Sequence, residues 1–345
     1  MATRVLLFML CLLTSCLEQE NGYNTVLESK YTAVPSEKSN IILNDLLAVV
    51  SELLKDLTNL TPQRKREASN NFFLAHAGSK DDVKEIKDSI VKAPDNYQIP
   101  IRTYAPLKSS NRNFIVMYVH GGGWTQGNLE THDPLCRKIA NILGVMVISV
   151  DYRLAPEHPF PTPLNDVSCV YSWIVKNYPN AEIVLSGDSA GGNLSAALCI
   201  KISREKQKKP YAQILLYAAL PSDCESKSFE AYGNMVALPK DGTKFYYKQY
   251  AGDEQKTNPL VSPVLQEDVT VFPPTMFIAA ECDVLLDGQI LLYEKLKTAG
   301  IETNMVTPKG TVHGFMSYLK EFDEEAINVL RNETSAFIDK IWAKE

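Results

Sequence analysis

Hydrophobic positions along the 345-residue chain fall into short unbroken runs separated by longer amphipathic segments. Phe114-Ile115-Val116-Met117-Tyr118-Val119 and Val145-Met146-Val147-Ile148-Ser149-Val150 are apolar at consecutive rather than alternate positions, the pattern of strands covered on both faces. Ile183–Ser186, Ile214–Tyr217, Met276–Ala279 and Thr303–Val306 are runs of the same kind, and Gln98–Tyr104 precedes them. Amphipathic stretches between these runs supply helices to cover both faces, so a mostly parallel sheet flanked by helices is predicted. Ahead of the strands, Ile42, Leu46, Val49, Val50, Leu53 and Leu54 recur at helical spacing between Asn40 and Leu57, and a second helical stretch runs from Pro62 to Ala77. Between Pro221 and about Lys256 the rhythm breaks into a segment rich in Tyr, Lys and Gly, which marks an insertion. No internal repeat is present.

Composition narrows the class without changing this picture. With 45% hydrophobic and 22% charged residues, a large core is available, and disordered and collagen-like classes are excluded. A net charge of -6 argues against nucleic acid as a partner, because phosphates would meet an acidic surface. The nearest basic cluster, Arg204, Lys206, Lys208 and Lys209, is short and reads as a solvated helix end.

The first sixteen residues read as a targeting segment, with Arg4 in a small positive region and Val5–Leu13 as an apolar run too short to span a bilayer. Leu13-Thr14-Ser15-Cys16 resembles a bacterial lipobox, in which the cysteine becomes the acylated first residue. A plain cleaved signal and an uncleaved anchor are the other two readings. All three place the rest of the chain outside the cytoplasm, as a periplasmic or membrane-anchored lipoprotein or a secreted protein. Residues 17–39 are polar and aperiodic and read as a lead-in, leaving residues 40–345 as one folded unit. Cys136, Cys169, Cys199, Cys224 and Cys282 are widely spaced, so no zinc site is predicted and spacing assigns no disulfide.

Chemistry enters at Gly187-Asp188-Ser189-Ala190-Gly191, a G-x-S-x-G directly after one predicted strand and directly before the helical run Asn193–Ile202. A serine at the tip of so sharp a strand-to-helix turn projects its Oγ, and the small neighbours permit the turn. His120-Gly121-Gly122-Gly123-Trp124 closes another strand, and its glycines let backbone N–H groups approach a substrate oxygen. Gly121 and Gly122, with Ala190, are the expected oxyanion donors, while His120 is expected to order the loop. A nucleophilic serine needs a base, itself oriented by an acid, in the order Ser, Asp or Glu, His. His313 is the only histidine downstream of Ser189. Glu281, Asp283 and Asp287 all follow a predicted strand; Asp283 is the candidate acid, Glu281 is read as serving the turn and Asp287 as a surface cap or pair. Asp188 is read as bracing a neighbouring loop.

Taken together, these segments resemble the hormone-sensitive-lipase-like family of α/β-hydrolases, which includes arylacetamide deacetylases. The resemblance runs from about Phe114 to Phe315 and is carried by His120–Trp124, Asp151-Tyr152-Arg153-Leu154-Ala155-Pro156-Glu157-His158-Pro159-Phe160-Pro161, Gly187–Gly192, Asn258-Pro259-Leu260, Ser262-Pro263, Asp283 and His313-Gly314-Phe315. Where that family reads Asp-Pro-Leu, this chain has Asp283-Val284-Leu285-Leu286-Asp287-Gly288-Gln289. The resemblance implies an α/β-hydrolase fold with a mainly helical cap, here over residues 40–95 and 221–256, and peripheral packing is the blander role for those segments. Hydrolysis of small-molecule carboxylic esters through an acyl-enzyme on Ser189 is expected, with short to medium acyl chains and no metal or organic cofactor, although cap shape and acyl preference are not carried over by the resemblance. Phe72, Phe73, Phe229, Tyr232, Met235, Phe245, Tyr246, Tyr247 and Tyr250 would line an acyl pocket or pack the cap. An amide deacetylase on the same triad is the nearest rival, and a receptor that binds without turnover is a more distant one, since such receptors lose the histidine present here as His313.

Overall fold

The computed structural model describes residues 31–54, 61–221 and 223–343. Its centre is an eight-stranded sheet: β1 (Glu85–Lys92), β2 (Gln98–Ala105), β3 (Phe114–Val119), β4 (Met146–Val150), β5 (Glu182–Asp188), β6 (Ala212–Leu216), β7 (Thr275–Ile278) and β8 (Thr303–Val306). The spatial order is β1-β2-β4-β3-β5-β6-β7-β8. Every pairing from β4 to β8 is parallel, whereas β1 and β2 form an antiparallel edge.

The unbroken apolar runs become strands buried on both sides. Ile115, Met117 and Val119 of β3 face a core shared with α4 (Thr162–Asn177), α5 (Ala190–Arg204) and α8 (Leu286–Thr298). Phe114, Val116 and Tyr118 face the opposite core, formed with α3 (Asp133–Leu143), α9 (Leu319–Asn328) and α10 (Ser335–Trp342). Burying a Val, Leu or Ile at such positions contributes about 1.5–3 kcal/mol each, which is why the alternation of faces holds the register. Because β3 has β4 on one side and β5 on the other, the chain reverses direction across the sheet there. Such a reversal opens a crevice at the carboxyl ends of the strands, where ligands settle.

Three parts of the sequence reading are corrected. Residues 85–92, assigned to the cap, are the edge strand β1, paired with β2 from Glu85↔Ala105 to Lys92↔Gln98. Its outward side chains include Lys87 and Asp88, the polar dressing that protects a sheet edge, and that polarity hid the strand. Folded structure begins before residue 40: Tyr31 is buried in the larger core, and α1 (Glu37–Leu54) begins before Asn40. Asp287 is not a surface cap, since it accepts from Tyr31 Oη at 2.8 Å and from the Ser228 N–H at 2.9 Å.

The remaining helices, α2 (Pro62–His76), α6 (Lys227–Tyr232) and α7 (Lys240–Ala251), lie in the two segments read as cap. Thr61 caps α2, its hydroxyl accepting from the Arg64 N–H. All five described cysteines are free, and burial pushes the thiols of Cys199, Cys224 and Cys282 up to about 12. The targeting segment, with Cys16, lies outside the described residues.

Candidate active site

Ser189 follows β5 and opens α5 with φ at +51°, the left-handed region that marks a nucleophile elbow. Such a turn brings α5 against β3 so closely that a Cβ at Gly191 would collide with the Val119 carbonyl oxygen. Backbone bonds hold the elbow: the Ser189 N–H donates to Leu216 O at 2.9 Å, and the Ala219 N–H donates to Ser189 O at 3.0 Å. Asn193, buried one turn into α5, donates from Nδ2 to Ala219 O at 2.7 Å and to Val261 O at 2.9 Å. Asn258-Pro259-Leu260 and Ser262 therefore act behind the elbow as a brace, with Ser262 Oγ donating to Leu220 O at 3.2 Å.

His313 Nε2 lies 2.9 Å from Ser189 Oγ, and His313 Nδ1 lies 2.7 Å from Asp283 Oδ2. The other carboxylate oxygen of Asp283 accepts from the Leu285 N–H at 2.9 Å, which orients the acid without a proline in that loop. Since a carboxylate only accepts, Nδ1 carries the proton and Nε2 is left to take one from the serine. Glu281 serves the turn: its Oε2 accepts from the Gly310 N–H at 2.6 Å. Tyr217, which no sequence motif marks, sets its ring edge-to-face with His313 at 5.1 Å. Its positive φ of 32°, unusual for a tyrosine, carries no motif that would have exposed it.

The glycine loop differs from expectation at one residue. Gly121 donates its N–H to Asp188 Oδ1 at 2.8 Å, so it has no donor left for a substrate oxygen. Gly122 and Gly123, with Ala190, line the cavity beside Ser189 instead. Peptide planarity explains how they are aimed. His120 Nδ1 donates to Gly121 O at 2.8 Å, and the N–H on the far side of that trans peptide is Gly122's. The N–H groups of Thr125 and Gln126 both donate to Gly122 O at 3.1 Å, which turns the Gly123 N–H the opposite way. His120 thus orders the loop, with its ring stacked on Tyr152 at 4.3 Å.

Asp188 braces this loop from below. It also accepts from Tyr118 Oη at 2.8 Å and from His132 Nε2 at 3.3 Å. Burial alone would raise its carboxyl, but the His132 charge and hydrogen bond, joined by the Tyr118 hydroxyl, hold it below the ordinary carboxylate range.

A cavity of about 70 Å³ sits over Ser189 and His313, lined by Phe73, Trp124, Leu238, Tyr246, Tyr247 and Tyr318 among others. Of the cap residues proposed for it, Phe73, Tyr246 and Tyr247 reach the cavity. Phe229, Tyr232 and Met235 are packed in the core, and Tyr250 stacks flat on Trp124 at 4.5 Å.

A family model described as alpha/beta hydrolase fold matches residues 116–317. The chain is 37% identical to an arylesterase of Saccharolobus solfataricus, over 76% of this chain and 86% of the relative. It is 30% identical to an ethyl acetate hydrolase of Pseudomonas putida, over 74% of this chain and 84% of that one. Among solved structures, an ester hydrolase from the metagenome of Lake Arreo, complexed with a bipyridine phosphonate derivative, superposes with a TM-score of 0.81. That pair shares 30% identity over 90% of this chain and 100% of the other.

Proposed function

The chain belongs to this alpha/beta hydrolase family, of the hormone-sensitive-lipase type, and is a serine carboxylic ester hydrolase; from that premise we propose that Ser189 attacks short- to medium-chain esters with His313 as base and Asp283 as its orienter. The observation that carries the assignment is the hydrogen-bonded line from Ser189 Oγ through His313 to Asp283, at 2.9 Å and 2.7 Å, opening into the cavity.

In this reaction Ser189 Oγ bonds to the ester carbonyl carbon while its proton passes to His313 Nε2. Negative charge develops on the carbonyl oxygen and is met by the N–H groups of Gly122, Gly123 and Ala190, helped by the positive end of α5. Asp283 stays ionised and stabilises the imidazolium. Collapse expels the alcohol, which takes the proton from His313. Water then repeats the sequence on the acyl-serine and releases the carboxylic acid. A cavity of about 70 Å³ supports a short acyl group, being roughly half the ~150 Å³ that accommodates benzene in an engineered core.

Hydrolysis of p-nitrophenyl esters from acetyl to palmitoyl, by the wild-type chain and Ser189→Ala, tests this. Turnover is expected to favour the short chains and to fall by about 10³-fold or more in the variant. Absence of turnover on every ester overturns the reading. The kinship with arylacetamide deacetylases, supported by the shared order of motifs from His120 to His313, is tested by matched arylacetamides in the same assay, with esters expected to be the better substrates.

For residues 1–16 we propose export and a lipid tether at Cys16, supported by the apolar run Val5–Leu13 and the Leu13–Cys16 sequence. Among the described residues no helix is long and apolar enough to cross a membrane. Mass spectrometry of the mature chain is expected to find acylated Cys16 at the amino terminus; an intact Met1 or an unmodified new terminus rejects the tether.

A further inference from the structure

Helix α2 lies outside residues 116–317, yet one face of it grips the loop that carries Gly122 and Gly123. Arg66, Asn70 and Phe73 stand four and three residues apart and so share that face. Arg66 Nε donates to Thr125 O at 2.7 Å, and its Nη2 donates to Ala155 O at 3.3 Å and to Glu157 Oε2 at 2.7 Å. The Gly127 N–H donates to Asn70 Oδ1 at 2.9 Å. Phe73 stacks on Tyr318 at 5.7 Å, and both rings line the cavity.

These contacts bracket the turn that aims Gly123. Thr125 and Gln126 direct the Gly122 carbonyl, and Arg66 and Asn70 pin the residues immediately around them. The pin is made to main-chain atoms, so it constrains the path of the loop whatever side chains the loop carries. The planar fork of Arg66 reaches two separate carbonyls, Thr125 O and Ala155 O, which a single ammonium group cannot span in the same way. The second carbonyl matters because the Ala155 N–H donates to Trp124 O at 2.8 Å, tying the far side of the same loop.

We propose that Arg66 and Asn70 are positioning residues for the oxyanion site: the cap helix, besides covering the cavity, sets the aim of the Gly122 and Gly123 N–H groups and thereby the stabilisation of the tetrahedral intermediate. The proposal rests on Ser189 being the nucleophile and those glycines the donors. A misplacement of about 1 Å in such a site costs on the order of 100-fold in rate, so the expected effect lies in kcat and leaves substrate affinity nearly untouched.

The test compares wild type, Arg66→Ala, Arg66→Lys and Glu157→Gln with p-nitrophenyl butyrate. It also measures inhibition by an alkyl trifluoromethyl ketone, whose adduct with Ser189 bears an oxyanion, against the matching methyl ketone. Arg66→Ala is expected to lower kcat about 10- to 100-fold with KM changed less than about 3-fold, and to weaken the trifluoromethyl ketone by the same factor as kcat. Binding of the methyl ketone stays within about 2-fold, Arg66→Lys recovers part of the loss, and Glu157→Gln resembles wild type because an exposed ion pair contributes little. Equal weakening of both ketones, or unchanged kcat in Arg66→Ala, overturns the proposal. Should Arg66→Ala fail to fold, Asn70→Ala, which removes one acceptor from the same grip, is read by the same two inhibitors. Ser189→Ala in parallel separates the two levels: full activity there defeats the functional assignment itself, whereas its inactivity beside an unimpaired Arg66→Ala defeats the positioning role alone.

Discussion

The elbow around Ser189 and the cap around Arg66 meet at one cavity, but they are held by different kinds of bond. Ser189 is fixed by main-chain bonds to Leu216 and Ala219 and by the buried amide of Asn193, all within β6, the turn after it and α5. The cap is fixed by side chains reaching across long stretches of chain: Arg66 to Thr125, Asn70 to Gly127, and Asp287 to Ser228. The difference teaches that the nucleophile cannot be moved without disturbing the sheet, while the cap can be altered residue by residue. The first region carries the nucleophile, and the second supplies part of the cavity wall around it.

Two substitutions sharpen that contrast. Asp188→Asn strikes the rigid side, removing a buried charge shared by Gly121, Tyr118 and His132. Breaking a buried pair costs about 3 kcal/mol, more than 100-fold in the folding constant. Because the folded carboxyl titrates below its unfolded value of about 3.9, its stabilisation is complete above that pH and is lost as pH falls through the folded pKa. Urea unfolding at pH 7 and at pH 3 should therefore show a wide gap between wild type and variant that narrows in acid. A gap independent of pH would mean that the charge of Asp188 is not what braces the glycine loop.

Tyr246→Ala strikes the adaptable side. Its ring lies so close over Gly123 that even a methyl group there would collide with it, and burial raises its phenol, which stays neutral. Removing it lengthens the cavity at the cap, and kcat/KM for the octanoyl ester relative to the acetyl ester should rise about 10-fold, since a methylene in an apolar pocket is worth roughly 1–3 kcal/mol. Thermal unfolding should shift less than in Asp188→Asn. An unchanged chain-length profile would show that the cap is as unyielding as the elbow.

What could be read from the residues follows the same division. β3 and β8 match their apolar runs to the residue, and the elbow, His313 and Asp283 are legible because each signal is local: an apolar run, a glycine turn, a single downstream histidine. The first oxyanion glycine was misjudged because three successive glycines are equivalent in sequence. Only Asp188, 67 residues away, decides that Gly121 is occupied. β1 was missed because an edge strand is polar by necessity. Tyr31 and Asp287 looked peripheral because their partner is 256 positions distant, and no periodicity reports such a bond.

The spacing of Ser189, Asp283 and His313 also orders events in time. The main-chain bonds that shape the elbow reach only to Leu216 and Ala219, whereas the base stands 124 residues from the serine. Contacts so far apart in the chain are the last to close. Closing the elbow thus shapes the serine before the imidazole that deprotonates it has docked, and hydrolysis waits on the loop that carries His313 to seat itself against Ser189.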